Sequence, residues 1–205
     1  MDRTRRSYGE GCVAAHALDL IGDRWALLVV RELMFGPRRF GALRAGLPGV
    51  SANVLTQRLA ELEVAGLVVS IPPGYGLTEA GEGLWPVIRA LCHWGAAQPG
   101  HDPRLFISPA ALMLSMRAMC AHDRAGRYRV AMDLGTDRFQ ILCDPGSYVV
   151  TRDPAATGMV FSGPPNAMAA AVYGPQPLVE TAQSLIHFAG DPAEGQAFLD
   201  LFRLR

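Results

Sequence analysis

Gly11 to Val68 reads GCVAAHALDLIGDRWALLVVRELMFGPRRFGALRAGLPGVSANVLTQRLAELEVAGLV, and its glycines and prolines divide it into four helical segments. Cys12 to Ile21 is apolar-rich and stops at Gly22. Arg24 to Phe35 places Trp25, Leu28, Val29 and Leu33 at helical spacing before Gly36-Pro37 ends it. Arg38 to Ala45 puts Phe40 and Leu43 at i and i+3, with Leu47 at i+7 beyond the helix, and Gly46 to Gly49 forms a turn. Ser51 is a good N-cap for a helix running to about Ala65, with Leu55, Leu59 and Leu62 on its inner face. Two short helices joined by a Gly-containing turn, the second capped and amphipathic, are a helix-turn-helix signature.

Outward from this stretch the pattern continues as a wing. Leu67 to Ile71 reads as a strand, Pro72-Pro73-Gly74 as a tight turn, and Tyr75 to Leu77 as the returning strand. Thr78 caps a further helix whose Leu84, Val87, Ile88, Leu91 and Trp94 make an apolar stripe, with Pro86 predicted to kink or split it. That stripe exceeds what a small winged domain needs and suits a partner helix from a second subunit. In a helix-turn-helix the N-terminal part of the second helix enters the major groove. With the leucines inward, Ala52, Asn53, Thr56 and Gln57 face out, and the capping Ser51 joins them as a candidate DNA contact. Asn and Gln pair bidentately with adenine, and hydroxyls suit bases or phosphates. Arg58 lies at the flank, and Arg38 and Arg39 are placed to grip the DNA backbone.

The same stretch resembles the HxlR-type bacterial transcription regulators. The marks are Cys12, the ALDLIGDRW segment ending at Trp25, FGPRRF from Phe35 to Phe40, LPG before Ser51, and LTQRL followed by LE and AGL. LTEAG at Leu77 and ALCHWG ending at Gly95 extend the likeness to nearly half the chain. The resemblance implies a homodimer, with its N-terminal and post-wing helices in the interface, binding double-stranded operator DNA of two-fold symmetry. It also implies that Cys12 is a possible redox sensor, although no basic residue adjoins it to activate the thiol. Two departures stand out. Only Gly74-Tyr75-Gly76 separates Pro73 from Leu77, where the family usually has a longer, often basic wing, and no basic residue occurs between Arg58 and Arg89. Asn53 stands where the family often has a basic residue. Affinity is therefore expected to rest on the helix-turn-helix and on Arg3, Arg5 and Arg6.

Gln98 to Pro103 reads as a linker between a domain spanning 1–98 and a second spanning 104–205. Phe106 to His122 is helical and methionine-rich. Tyr128 to Leu134 alternates, with Tyr128, Val130, Met132 and Leu134 on one face and Arg129 and Asp133 on the other. Phe139–Cys143, Tyr148–Arg152, Met159–Ser162 and Leu185–Ala189 are strands, and Asn166–Tyr173, Pro177–Gln183 and Pro192–Leu204 helices. The whole chain is thus α+β. Its second half reads either as an ordinary packed core or as a shell around an apolar cavity. Asp153 to Phe202 resembles the end of sterol-carrier-protein-like domains, with Gly190-Asp191-Pro192 its sharpest mark. That resemblance implies a site for a hydrophobic small-molecule effector, with Met116, Met119, Phe139, Met159, Phe161, Tyr173 and Phe188 as candidate lining residues.

Composition bounds the rest. Half the residues are apolar, 19 % are charged, every basic residue is an arginine, and formal net charge is zero. A nucleic-acid binder usually has a basic excess, so local placement of arginines must carry the interaction. No signal peptide or membrane span is visible, and Cys12, Cys92, Cys120 and Cys143 have no C-x-x-C spacing. A cytoplasmic protein with free thiols is expected. His122-Asp123 lacks further ligands for a metal, and no nucleophile elbow, phosphate loop or dinucleotide fingerprint occurs, so no catalytic residue, metal or cofactor is assigned. The competing reading is a regulator-derived, cofactor-independent cyclase that holds a hydrophobic intermediate in reactive shape.

Overall fold

The computed structural model describes residues 7–121 and 126–204. They fold as two compact units divided between Ile88 and Arg89, so the division falls inside a helix. The first unit runs α1 (Val13–Ile21), α2 (Ala26–Leu33), α3 (Phe40–Ala45), α4 (Ala52–Val64), β1 (Val68–Ile71), β2 (Gly74–Leu77), α5 (Glu79–Glu82) and the start of α6 (Trp85–Ala96). Val29, Leu33, Leu43, Leu47, Leu55, Leu59 and Leu62 share one buried cluster, with Trp25, Leu28 and Phe40 packed against it. Each such leucine contributes about 1.5–3 kcal/mol by leaving water. The predicted stripes and the observed core coincide because helical spacing alone decides which residues face inward.

β1 and β2 form an antiparallel hairpin closed by Pro72-Pro73, joined through a cis bond. The hairpin is tied to the helices by a two-way backbone bridge: Arg38 N–H donates to Tyr75 at 2.8 Å, and Tyr75 N–H to Arg38 at 2.9 Å. Gly74 permits this approach, since a Cβ there would stand 2.2 Å from the Arg38 carbonyl oxygen. Beyond the wing the helix is split, as Pro86 predicts, but the break lies at Gly83 and Leu84. Pro86 sits in the first turn of α6, where its missing N–H leaves no bond unmade.

The second unit contains α7 (Pro109–Met119), β3 (Tyr128–Asp133), β4 (Arg138–Asp144), β5 (Ser147–Arg152), β6 (Met159–Ser162), α8 (Pro165–Tyr173), α9 (Leu178–Ser184), β7 (His187–Ala189) and α10 (Pro192–Leu199). The strands form one sheet in the order β5-β4-β3-β6-β7; β3 and β6 are parallel and the other neighbours antiparallel. β3 lacks the clean alternation expected of it, because Val130, Ala131 and Met132 are all fully buried. The second face is covered by the loop between β5 and β6. Gln140, paired with Ala131, donates to the Val130 and Thr157 carbonyls and accepts from Thr157 N–H, while Arg138 donates to Ala156.

Three boundaries moved for identifiable reasons. α7 starts at its Ser108 cap, which accepts from Ala111 N–H at 3.0 Å, leaving Phe106 outside the helix. α10 stops at Leu199, because the following residues leave the helix to bridge Phe202 with Cys120. Leu185 and Ile186 donate to the Thr181 carbonyl at the end of α9, which shortens β7 to three residues.

Candidate nucleic-acid interface and the C-terminal recess

The geometry of α4 starts at its cap. Ser51 has extended backbone, and its Oγ accepts from Val54 N–H at 3.2 Å. Leu55, Leu59 and Leu62 are buried, which fixes the helix's rotation. Ser51, Asn53, Thr56 and Gln57 are consequently exposed and Ala52 half-buried. Gln57 Nε2 donates to Glu61 Oε1 at 2.9 Å one turn on, so a base that uses this amide must compete with Glu61.

The three arginines expected beside α4 are placed differently. Arg39, the N-cap residue of α3, is exposed. Arg58 turns back: its guanidinium pairs with Asp23 at 2.6 Å and with Glu61, and its side chain is only 15 % exposed. Arg38 is similarly covered, with Nη1 3.7 Å from the Glu32 carboxylate. Glu32 itself is fully buried, accepts from Arg31 Nε and Nη2, and rests against Gly46, whose carbonyl takes a bond from Arg31. A Cβ at Gly46 would stand 2.3 Å from Glu32 Oε2. This hub ties α2 to the segments before and after α3, and the sequence reading missed it. The available signal is position: Glu32 is seven residues after Trp25, on the same inward stripe as Leu28 and Val29. Arg44, at the last turn of α3, is a further exposed cation. Arg3, Arg5 and Arg6 lie outside the described residues, as do His122 and Asp123.

In the second unit a recess of about 340 Å³ is bounded by Val172, Tyr173, Gln196, Leu199, Phe202 and Arg203, among others. Of the seven candidate lining residues only Tyr173 borders it. Its hydroxyl lies 2.8 Å from Ser115 Oγ, and burial pushes the phenol well above its ordinary pKa. Met116, Phe139 and Phe161 are fully buried, Met119 and Met159 nearly so. Phe161 packs between Phe188 at 4.7 Å and Phe198 at 5.9 Å. Among the described residues, no three His, Cys, Asp or Glu side chains are placed to hold a metal ion, and no helix is long and apolar enough to cross a membrane. Cys12 is exposed at the N-terminus of α1, where the Ala15 N–H and then the Ala14 N–H hold its thiol below the usual pKa.

The helix-turn-helix and its short wing now have a family to be set against. The profile of the HxlR-like helix-turn-helix family matches residues 20–102. An uncharacterised HTH-type transcriptional regulator of Synechocystis sp. is 40 % identical over 95 residues, covering 43 % of this chain and 70 % of that protein. The chain belongs to the HxlR-like family. Its N-terminal unit is a winged helix-turn-helix of a transcription regulator, and the partner of that unit is DNA. An HTH-type regulator of Mycobacterium tuberculosis is 42 % identical over 93 residues, and the match spans 58 % of that protein. The solved structure of quinone-bound YodB from B. subtilis is 35 % identical, covers 41 % of this chain and 97 % of its own, and has a TM-score of 0.39. Residues 103–205 lie beyond the family match.

Proposed function

We propose that this HxlR-like protein is a homodimeric one-component regulator that reads operator DNA with the N-terminal half of α4. The observation carrying this reading is the polar face Ser51, Asn53, Thr56 and Gln57, exposed on a helix whose rotation is fixed by buried leucines and a serine cap. Arg39 contacts the DNA backbone beside it, while Arg38 and Arg58 chiefly brace the helices. Homodimer formation is supported by α6, which buries Ile88 yet leaves Val87, Leu91 and Trp94 exposed at i, i+4 and i+7, Trp94 by 66 %. A helix with an apolar face on each side needs a second partner.

The C-terminal domain, 104–205, binds a hydrophobic small molecule that biases DNA binding. The run β6, α8, α9, β7, Gly190-Asp191-Pro192, α10 supports the sterol-carrier-like reading. The effect on DNA requires that the ligand favour one conformation of the protein.

One observation favours the regulator-derived cyclase: the wing carries no cation, and two of the three predicted arginines are tied to carboxylates. Titration of the full chain with DNA from its own upstream region at several salt concentrations separates the readings. Saturable, sequence-preferring binding that weakens with salt is the expected result. Absence of binding at low salt overturns the regulator and leaves the winged unit a scaffold.

A further inference from the structure

Cys120 and Cys143 are far apart in sequence and meet inside the second unit. Cys120 closes the C-terminal end of α7 and is 8 % exposed; Cys143, near the end of β4, is 1 % exposed. Cys143 stands in register between Tyr128 on β3 and Tyr148 on β5. Cys120 forms its backbone bridge with Phe202, whose ring packs edge-on against Tyr148 at 5.9 Å. The Cys120 side chain hydrogen-bonds Cys143, and that contact holds the Cys143 thiol below its usual pKa. Both are free thiols. A disulfide between them requires the two sulfurs to close from hydrogen-bond contact to about 2.05 Å.

Burial ordinarily makes a thiol inert, so a route is required. The segment after α10 supplies one. It is held over Cys120 by the Phe202 bridge and by Ala121 N–H donating to Leu201 at 2.8 Å, and Phe202 also forms a wall of the solvent-open recess. Local opening of so short a segment costs far less than global unfolding and uncovers Cys120, with the Cys143 sulfur hydrogen-bonded to it, without opening the sheet.

We propose that Cys120 and Cys143 are an oxidisable dithiol that a peroxide converts into an intramolecular disulfide tying the end of α7 to β4. In the first step the Cys143 thiolate attacks one peroxide oxygen. The O–O bond breaks, the other oxygen leaves as water or an alcohol, and Cys143 becomes a sulfenic acid. The Cys120 sulfur then attacks the Cys143 sulfur. The S–O bond breaks, the S–S bond forms, and hydroxide leaves as water with the Cys120 proton. The two thiols lose two electrons and the peroxide gains them. The disulfide anchors the helix whose Ser115 holds Tyr173, so its formation bears on one wall of the recess. This pair is separate from Cys12, and the inference does not depend on how the winged unit reads DNA.

The test uses the full reduced chain, exposed to graded hydrogen peroxide, alkylated, and digested with trypsin without reduction. Mass spectrometry is expected to find peptides 118–124 and 139–152 joined, lighter than their sum by two hydrogens, and separable by dithiothreitol. Cys143→Ser is expected to abolish the linked species, and the wild-type map decides alone if that variant does not fold. The same treatment in guanidinium controls for pairing in unfolded chains, which scatters over all four cysteines. The proposal is overturned if both thiols stay alkylatable at peroxide levels that oxidise Cys12. It is equally overturned if folded protein pairs either cysteine with Cys12 or Cys92 instead.

Discussion

Arg39 and Arg58 are equivalent in a reading of the sequence, each a cation beside the recognition helix, yet only Arg39 offers its guanidinium to solvent. Arg39→Ala is therefore expected to flatten the dependence of log K on log salt by about 2 for a dimer, one phosphate contact per protomer. Arg58→Ala should leave that slope unchanged and instead lower unfolding stability by about 1–2 kcal/mol, through loss of its pairs with Asp23 and Glu61. Salt-dependent binding isotherms and urea melts distinguish the two. Asn53→Ala should cost about 1–3 kcal/mol and relax preference at one base pair. If it binds every operator variant as tightly as the parent, the reading face is assigned wrongly. Burial raises Tyr148 and Tyr173 above the ordinary tyrosine pKa. A phenol whose folded pKa is raised adds stability that is complete below its unfolded pKa of about 10 and is lost as pH rises beyond it. Absorbance titration should show these two ionising only together with loss of tertiary structure.

At the level of elements, the wing and the helices are joined by backbone and by one buried carboxylate rather than by an apolar seam alone. Glu32→Ala removes from Arg31 and Arg38 the buried carboxylate they share, and about 3–5 kcal/mol of destabilisation is expected in a denaturant melt. Gly74→Ala should detach the wing from Arg38, because the added methyl meets a carbonyl oxygen that cannot move away alone. On α6 the outer apolar stripe predicts that Leu91→Glu combined with Trp94→Glu gives a monomer by sedimentation while helix content is kept. A variant that remains dimeric removes this face from the interface. The element pattern itself was legible along the whole chain. Ser51 and Thr78 cap helices because a side-chain oxygen next to an amphipathic run has one favourable use. The Glu32 hub was legible only as a position on an inward stripe, since nothing local names the arginines that answer it.

For the molecule as a whole, the two units place different demands on a reading of sequence. The first is assembled from short-range helical contacts, and periodicity, capping residues and glycine stops were enough to determine its helices, its wing and the outward face of α4. The second is organised around a sheet that joins β3 to β6 in parallel, a pairing between segments separated by two other strands. Its strands could be located from alternation, but their order could not, because several registers bury the same apolar residues. The same limit applied to the lining residues. Aromatic residues of one hydrophobic pattern divide into Phe139 and Phe161 in the closed core and Tyr173 at the recess, and only packing separates them. Charge followed this rule as well. That arginines flank α4 and that none lies in the wing follows from the chain order by itself, since those are statements about position along the chain. Only the tertiary structure decided that Arg58 answers Asp23, that Arg38 answers Glu32, and that Cys120 touches Cys143, because a side chain's partner is set by what folding brings within a few ångströms of it.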